Sequence, residues 1–92
     1  MTAPAPRPFT LADQMAAMRV RHHTVARRYA SEVEKHARQI TLDLARGQSV
    51  TDLIQRMNEY LHRLQGEQRA IDVIDEWATR MRQAAGVRQP AA

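Results

Sequence analysis

The fold is decided by residues 49–85, which read SVTDLIQRMNEYLHRLQGEQRAIDVIDEWATRMRQAA. Apolar residues recur there every three or four positions, with one polar gap at Glu67. They are Val50, Leu53, Met57, Tyr60, Leu64, Ile71, Ile74, Ala78, Met81 and Ala85. This heptad spacing is typical of a helix that packs lengthwise against another helix, as in a coiled coil.

A second helix of matching length is predicted from Thr10 to Arg46. Thr10 and Asp13 have the spacing of a capping box, and Gly47 follows as a left-handed helix cap. The helix has apolar residues at Leu11, Met15, Met18, Val25, Tyr29, Val33, Ile40 and Leu44. Gly47-Gln48 forms the turn, and Ser49 is expected to cap the next helix. Because so short a connection forces the helices to be adjacent and antiparallel, we predict an all-α helical hairpin.

The chain reads as one hairpin domain over residues 10–86, with a flexible Pro-rich arm at 1–9 and a flexible tail at 87–92. Gly66 interrupts the second helix, which could end there and give a third. We favour one continuous helix, because the seam keeps its register through Gly66. A single glycine costs a helix only about 1 kcal/mol.

Charge placement supports the antiparallel arrangement. A fold at residues 47–49 brings positions whose numbers sum to roughly 96 to the same height. Arg19, Arg21, Arg27 and Arg28 then lie opposite an acidic set. The acidic residues are Glu67, Asp72, Asp75 and Glu76. Such pairs favour one orientation and register of the two helices.

Composition limits the classes of function. The chain has a formal charge of +4 and no cysteine. The missing cysteines exclude disulfides, thiolate metal sites and cysteine nucleophiles. The sequence has no signal peptide at its start and no run of about 20 apolar residues, so we expect a cytoplasmic protein.

The apolar surface is too wide for an isolated pair of helices. Ile54, Leu61, Val73 and Trp77 lie beside the main stripe of the second helix. A surface of that width usually marks an interface, and the simplest solution is a homodimer that forms a four-helix bundle. We therefore expect a small adaptor, regulator or inhibitor that binds a protein partner, with Leu61, Val73 and Trp77 in the contact.

A basic segment gives a first alternative. Residues 19–28 carry Arg19, Arg21, Arg27 and Arg28 on one predicted helix. Such a helix can lie along a phosphate backbone, so a dimeric nucleic-acid-binding protein is the second hypothesis. No helix-turn-helix is visible, and aromatic residues that could stack on bases are few.

A Glu-x-x-His motif gives a second alternative. Glu59 and His62 share a helix face, and the height rule places Glu32 of the first helix nearby. Across these few positions the chain resembles a small ferritin-like subunit, in which paired Glu-x-x-His motifs bind metal. The resemblance implies an iron or manganese site at Glu32, Glu59 and His62, shared between two chains.

Catalysis has little support. The chain has two serines, Ser31 and Ser49, and Ser49 is expected to cap a helix. Its three glycines are isolated, so no phosphate-binding glycine loop and no nucleophile elbow are formed. His22 falls on the apolar stripe, where we expect a hydrogen-bonded packing role. We therefore expect no catalytic residues, no cofactor and no enzyme activity.

Overall fold

The protein is an antiparallel hairpin of two long helices. The computed structural model describes residues 9–88, with helix α1 at Leu11–Ala45 and helix α2 at Thr51–Arg88. The radius of gyration is 21.4 Å, against about 12 Å for a compact domain of this length. The molecule is therefore a rod, and the predicted all-helical hairpin is confirmed.

Helix α1 begins with the predicted capping box. Thr10 Oγ1 accepts a hydrogen bond from the Asp13 amide at 3.1 Å. The Asp13 carboxylate in turn accepts one from the Thr10 amide at 3.0 Å. Because both amides belong to the first turn, the box satisfies donors that have no partner inside the helix.

The turn is a Schellman motif built on Gly47. This glycine has a φ of +73°, a conformation that side chains with a Cβ disfavour. The Gln48 amide donates to the Asp43 carbonyl at 2.9 Å, and the Gly47 amide donates to the Leu44 carbonyl at 3.0 Å. These two bonds define the motif and end α1 where the sequence predicts.

Helix α2 runs through Gly66 without a break, as predicted. The Val50 carbonyl accepts from the Ile54 amide at 2.9 Å, so Val50 occupies the cap position. The helix thus begins one residue later than a Ser49 cap predicts. It continues two residues past Gly86 to Arg88. Most of the predicted arm, residues 1–8, and the end of the predicted tail, residues 89–92, lie outside the described residues.

The core is a single seam between the helices. On α2 it follows the predicted heptad positions, from Leu53 to Ala78. Four apolar residues of the described region are buried, namely Met15, Ala26, Ile71 and Ile74. Most other seam residues are half-buried, including the tilted ring pair Tyr29 and Tyr60, whose centroids are 6.1 Å apart. Two helices alone therefore enclose little apolar surface.

Candidate protein-interaction faces

Many large apolar side chains stay in solvent. Ten of them in the described region are at least 37% exposed. They are Phe9, Leu11, Met18, Val20, Leu42, Leu44, Ile54, Val73, Trp77 and Met81. Trp77 is 59% exposed, which is a high fraction for the largest apolar side chain. Exposed apolar side chains mark an interaction site where they lie together in one patch, so their arrangement around the hairpin matters.

The hairpin has two broad faces, one on each side of the seam. Adjacent residues on a helix point about 100° apart, so residues just before and just after a seam position lie on opposite sides. In an antiparallel pair, residues that follow the seam on either helix share one face. Those that precede it share the other. Ala16 follows seam residue Met15, and Asp75 and Thr79 follow Ile74 and Ala78. All three line one groove, as this rule requires.

The first of these faces, the Leu61 face, consists of Ala30, Ala37, Leu44, Ile54 and Leu61. Each of these follows a seam position, except Leu44, which continues the heptad row of Ala30 and Ala37. On α2, the residues that follow the seam between Leu53 and Glu67 are all uncharged. They are Ile54, Asn58, Leu61, Gln65 and Gln68. The charges on the adjoining part of α1 are Glu34 at the outer edge, which pairs with Arg38 at 3.1 Å, and Arg27, which follows buried Ala26 near the height of Gln65 and Gln68.

The opposite face, the Trp77 face, consists of Met18, Val25, Ala70, Val73 and Trp77. On α1, Met18 and Val25 directly precede Arg19, which reaches across the seam, and buried Ala26, so both lie beside the seam although they belong to the predicted apolar stripe. On α2, Ala70, Val73 and Trp77 directly precede seam residues Ile71, Ile74 and Ala78. The contacting pairs across the seam have numbers that sum to between 89 and 96, so Met18 lies near the height of Trp77 and Val25 near that of Ala70. This face lies toward the open end of the hairpin.

The three predicted partner-binding residues do not form one surface. Leu61 and Trp77 are sixteen residues apart, which places them roughly 160° apart around α2. Val73 and Trp77 lie together on the Trp77 face, whereas Leu61 is half-buried on the other face. The chain therefore has two separate apolar surfaces, where we had predicted a single one around these residues.

A groove of about 630 Å³ extends the Leu61-face side of the molecule toward the open end. Its walls include Ala12, Ala16, Ala78 and Ala85, whose short side chains leave space between the helices. Arg19, Asp75 and Arg82 line its edge. Among the described residues that line the groove there is no arrangement of a nucleophile, base and orienting group.

The basic segment is divided among different surroundings. Arg19 forms a bidentate pair with Asp75, with N–O distances of 2.6 and 3.2 Å. This hydrogen bond lowers the pKa of the Asp75 carboxyl and raises the pKa of the Arg19 guanidinium. Arg21 and Arg28 lie on the Trp77 face, seven residues apart. Arg27 points about 100° away from Arg28, and because it follows buried Ala26 it lies on the Leu61-face side of α1.

Arg63 of α2 joins Arg21 and Arg28 on the Trp77 face. It precedes seam residue Leu64, and its guanidinium lies over the Tyr60 ring at 5.6 Å from the centroid. Arg63 is not among the predicted basic residues, because it lies outside the segment 19–28. The height rule could have found it, since Arg63 and Arg28 lie level across the pair.

The predicted metal ligands are not gathered within one chain. In residues 9–86, whose side chains are described, no group of three or more His, Asp or Glu could hold an ion. Glu32 faces Lys35 at 3.7 Å, and its carbonyl oxygen lies 2.7 Å from His36 Nδ1. Glu59 and His62 are exposed on α2. An iron or manganese site at these residues stays a prediction that needs a second chain.

The seam itself contains one polar layer. His22 Nδ1 lies 2.5 Å from Glu67 Oε2, and both side chains are partly buried. The pair fills the single gap in the apolar spacing of α2. His22 thus has the hydrogen-bonded packing role that its place on the apolar stripe predicts.

Comparisons of the chain with known protein families, with curated proteins and with solved structures found no match. Within the described part of the chain, neither helix has a stretch long and apolar enough to cross a bilayer.

Proposed function

We propose that this chain is a non-catalytic adaptor, regulator or inhibitor that acts as a homodimer through protein–protein contacts. The observation that carries the proposal is the ratio of buried to exposed apolar residues. Four are buried in the described region, while ten large ones remain at least 37% exposed. Fully burying one such side chain stabilises by about 1.5–3 kcal/mol, so a partner that covers several of them is strongly favoured.

The Leu61 face is the better candidate for the dimer contact. A two-fold contact buries the same patch of both copies, so every unpaired charge on the patch loses its water twice over. The Leu61 face has no charged residue on its α2 side. Ala30 and Ala37 also allow a partner helix to approach closely, because the distance between helix axes depends on side-chain size at the contact. The result would be the predicted four-helix bundle.

Sedimentation velocity of the full chain tests this proposal. We expect the wild-type protein to sediment as a dimer and the Leu61→Glu variant as a monomer, since a charge on the contact would lose its water. Ala37→Glu, at an exposed position, tests the same face without disturbing the seam. Gln55→Glu is the matched control, because it adds the same charge on the far side of α2 and should leave the dimer intact.

Two results would contradict the dimer. One is a wild-type protein that stays monomeric at every concentration. The other is a folded Ala37→Glu variant that dimerises as well as the wild type does. Circular dichroism separates a folded monomer from an unfolded chain.

Nucleic-acid binding is the second candidate. It is favoured by Arg21, Arg27 and Arg28, none of which forms an ion pair within the described region. Retention on immobilised DNA or RNA should then decrease steeply with salt. Replacing Arg27 and Arg28 together should abolish that retention, and unchanged retention would reject this candidate.

A further inference from the structure

The Trp77 face has the composition of a contact surface with an apolar centre. Met18, Val73 and Trp77 are 46%, 51% and 59% exposed, and half-buried Val25 and Ala70 fill the space between the helices. Aromatic and methionine side chains are enriched in the centres of protein interfaces. Trp77 is of the residue type that most often supplies a large share of binding energy.

Toward the open end of the hairpin the edge of the Trp77 face is basic, and the nearest acidic residues on that edge, Glu32 and Glu59, lie one turn beyond Arg28 and Arg63. From Gln14 to Arg28 on α1 and from Arg63 to Ala84 on α2, no residue that directly precedes a seam position is acidic. The basic ones are Arg21, Arg28, Arg63 and Arg80. Arg80 is paired with Glu76 of its own helix at 2.6 Å, which leaves the other three to present positive charge.

Gly66 lies beside this surface and leaves open space around its Cα within residues 9–88. A Cβ built on it would meet nothing within 4 Å, and its φ lies outside the left-handed region. A glycine in a helix interior is less favourable than alanine by about 1 kcal/mol. With Ala70 four residues later, Gly66 leaves the α2 backbone open to close approach from outside.

We propose that the Trp77 face binds an acidic amphipathic helix of a partner protein. The inference rests on the proposed function, since it names the chemistry of the protein partner. An apolar stripe on such a helix would cover Met18, Val73 and Trp77. Its flanking carboxylates would meet Arg21, Arg28 and Arg63. Gly66 and Ala70 would allow its backbone to lie close to α2.

The arginines argue against a second copy on this face. A two-fold contact would bring Arg21 and Arg28 of one copy near the same residues of the other, and like charges oppose association. The apolar centre argues against nucleic acid, because phosphate contacts would leave Met18 and Val73 uncovered. A protein helix with both an apolar stripe and carboxylates matches both parts of the face.

Fluorescence anisotropy with a designed probe tests the proposal. The probe is a labelled peptide of about 18 residues, long enough for five helical turns, with leucines at i, i+3, i+4 and i+7 spacing and glutamates on both flanks. A second peptide has lysine in place of every glutamate. We expect the wild-type dimer to bind the glutamate peptide and not the lysine peptide. Binding should shift the emission of Trp77, the only tryptophan, to shorter wavelength.

Matched variants locate the site. Arg28→Glu should weaken binding by about 5- to 10-fold, since it replaces an attraction with a repulsion at the rim. Arg27→Glu makes the same charge change one residue away, on the Leu61-face side of α1, so it should weaken peptide binding much less, and sedimentation of this variant shows whether the dimer is retained. Trp77→Ala should also reduce affinity, and its exposed position keeps the fold intact.

Several results would overturn the proposal. These are no binding of the glutamate peptide, equal binding of both peptides, or equal effects of Arg27→Glu and Arg28→Glu. If duplex DNA displaces the labelled peptide at a lower concentration than the unlabelled peptide does, the Trp77 face would be assigned to nucleic acid. Sedimentation of the same samples keeps the dimer question separate, because a monomer that still binds the peptide contradicts only the dimer.

Discussion

Individual residues show which parts of the charge pattern could be predicted. The sequence places an acidic set opposite the basic segment 19–28. The ion pair between Arg19 and Asp75 confirms that placement. Glu67 pairs instead with His22, and Glu76 pairs with Arg80 of its own helix. The difference depends on the direction in which each side chain points around its helix. Only residues near the seam can reach across it, and Arg21, Arg27 and Arg28 point away.

The Arg19–Asp75 pair should make stability depend on pH. Its hydrogen bond lowers the folded-state pKa of Asp75, so the carboxylate contributes stability above its unfolded pKa of about 3.9. That contribution is lost as the pH falls through the folded pKa. Asp75→Asn should therefore lower the urea midpoint at pH ~7, and this effect should shrink as the pH falls through the folded-state pKa of Asp75.

Asp72→Asn provides the comparison for this experiment, because Asp72 lies on the outer side of the same helix turn and its carboxyl has no part in the Arg19 pair. If both substitutions change the midpoint equally at every pH, the pair does not stabilise the hairpin.

At the level of the helices, the spacing of apolar residues was sufficient to predict both elements, the turn between them and the continuity through Gly66. It was not sufficient to separate the two faces. Leu61, Val73 and Trp77 all lie beside the seam, and apolarity alone does not say on which side. That distinction depends on whether a residue precedes or follows a seam position, which requires the seam to be fixed on both helices. A contact such as His22–Glu67 fixes it.

Gly66→Ala should stabilise the isolated hairpin by up to about 1 kcal/mol. The added Cβ meets no atom within 4 Å, and alanine is the better helix former. Urea denaturation at one fixed protein concentration measures the change. Gly86→Ala is the comparison variant. It also adds a Cβ in open space, but it lies in the last turn of α2, so it should stabilise the hairpin less than Gly66→Ala does. A destabilised Gly66→Ala variant would show that the glycine is needed by the hairpin itself.

For the whole molecule, the limiting quantity is the core. A two-helix rod buries one stripe per helix, and small chains gain little buried surface per residue. Length and composition predict this shortage and its usual remedy, which is assembly. They do not predict the partner, because that depends on how the leftover apolar and charged residues are arranged around each helix.

The thermal midpoint should therefore rise with protein concentration. For a dimer of this size that unfolds as it dissociates, each tenfold increase in concentration should raise the midpoint by about 2–4 °C. Calorimetry over a wide concentration range measures the slope. Leu61→Glu should remove the dependence, while Gln55→Glu should keep it. A wild-type midpoint that is constant with concentration would mean that the rod is stable alone.

The two apolar surfaces lie on opposite sides of a molecule only one helix thick. When two copies associate through one side, the other side of each copy points outward. Such an assembly is bivalent, because it presents two identical binding surfaces at a fixed separation. A ligand that contains two matching segments would then bind far more tightly than a ligand with one, by an avidity that depends on the spacer between the segments.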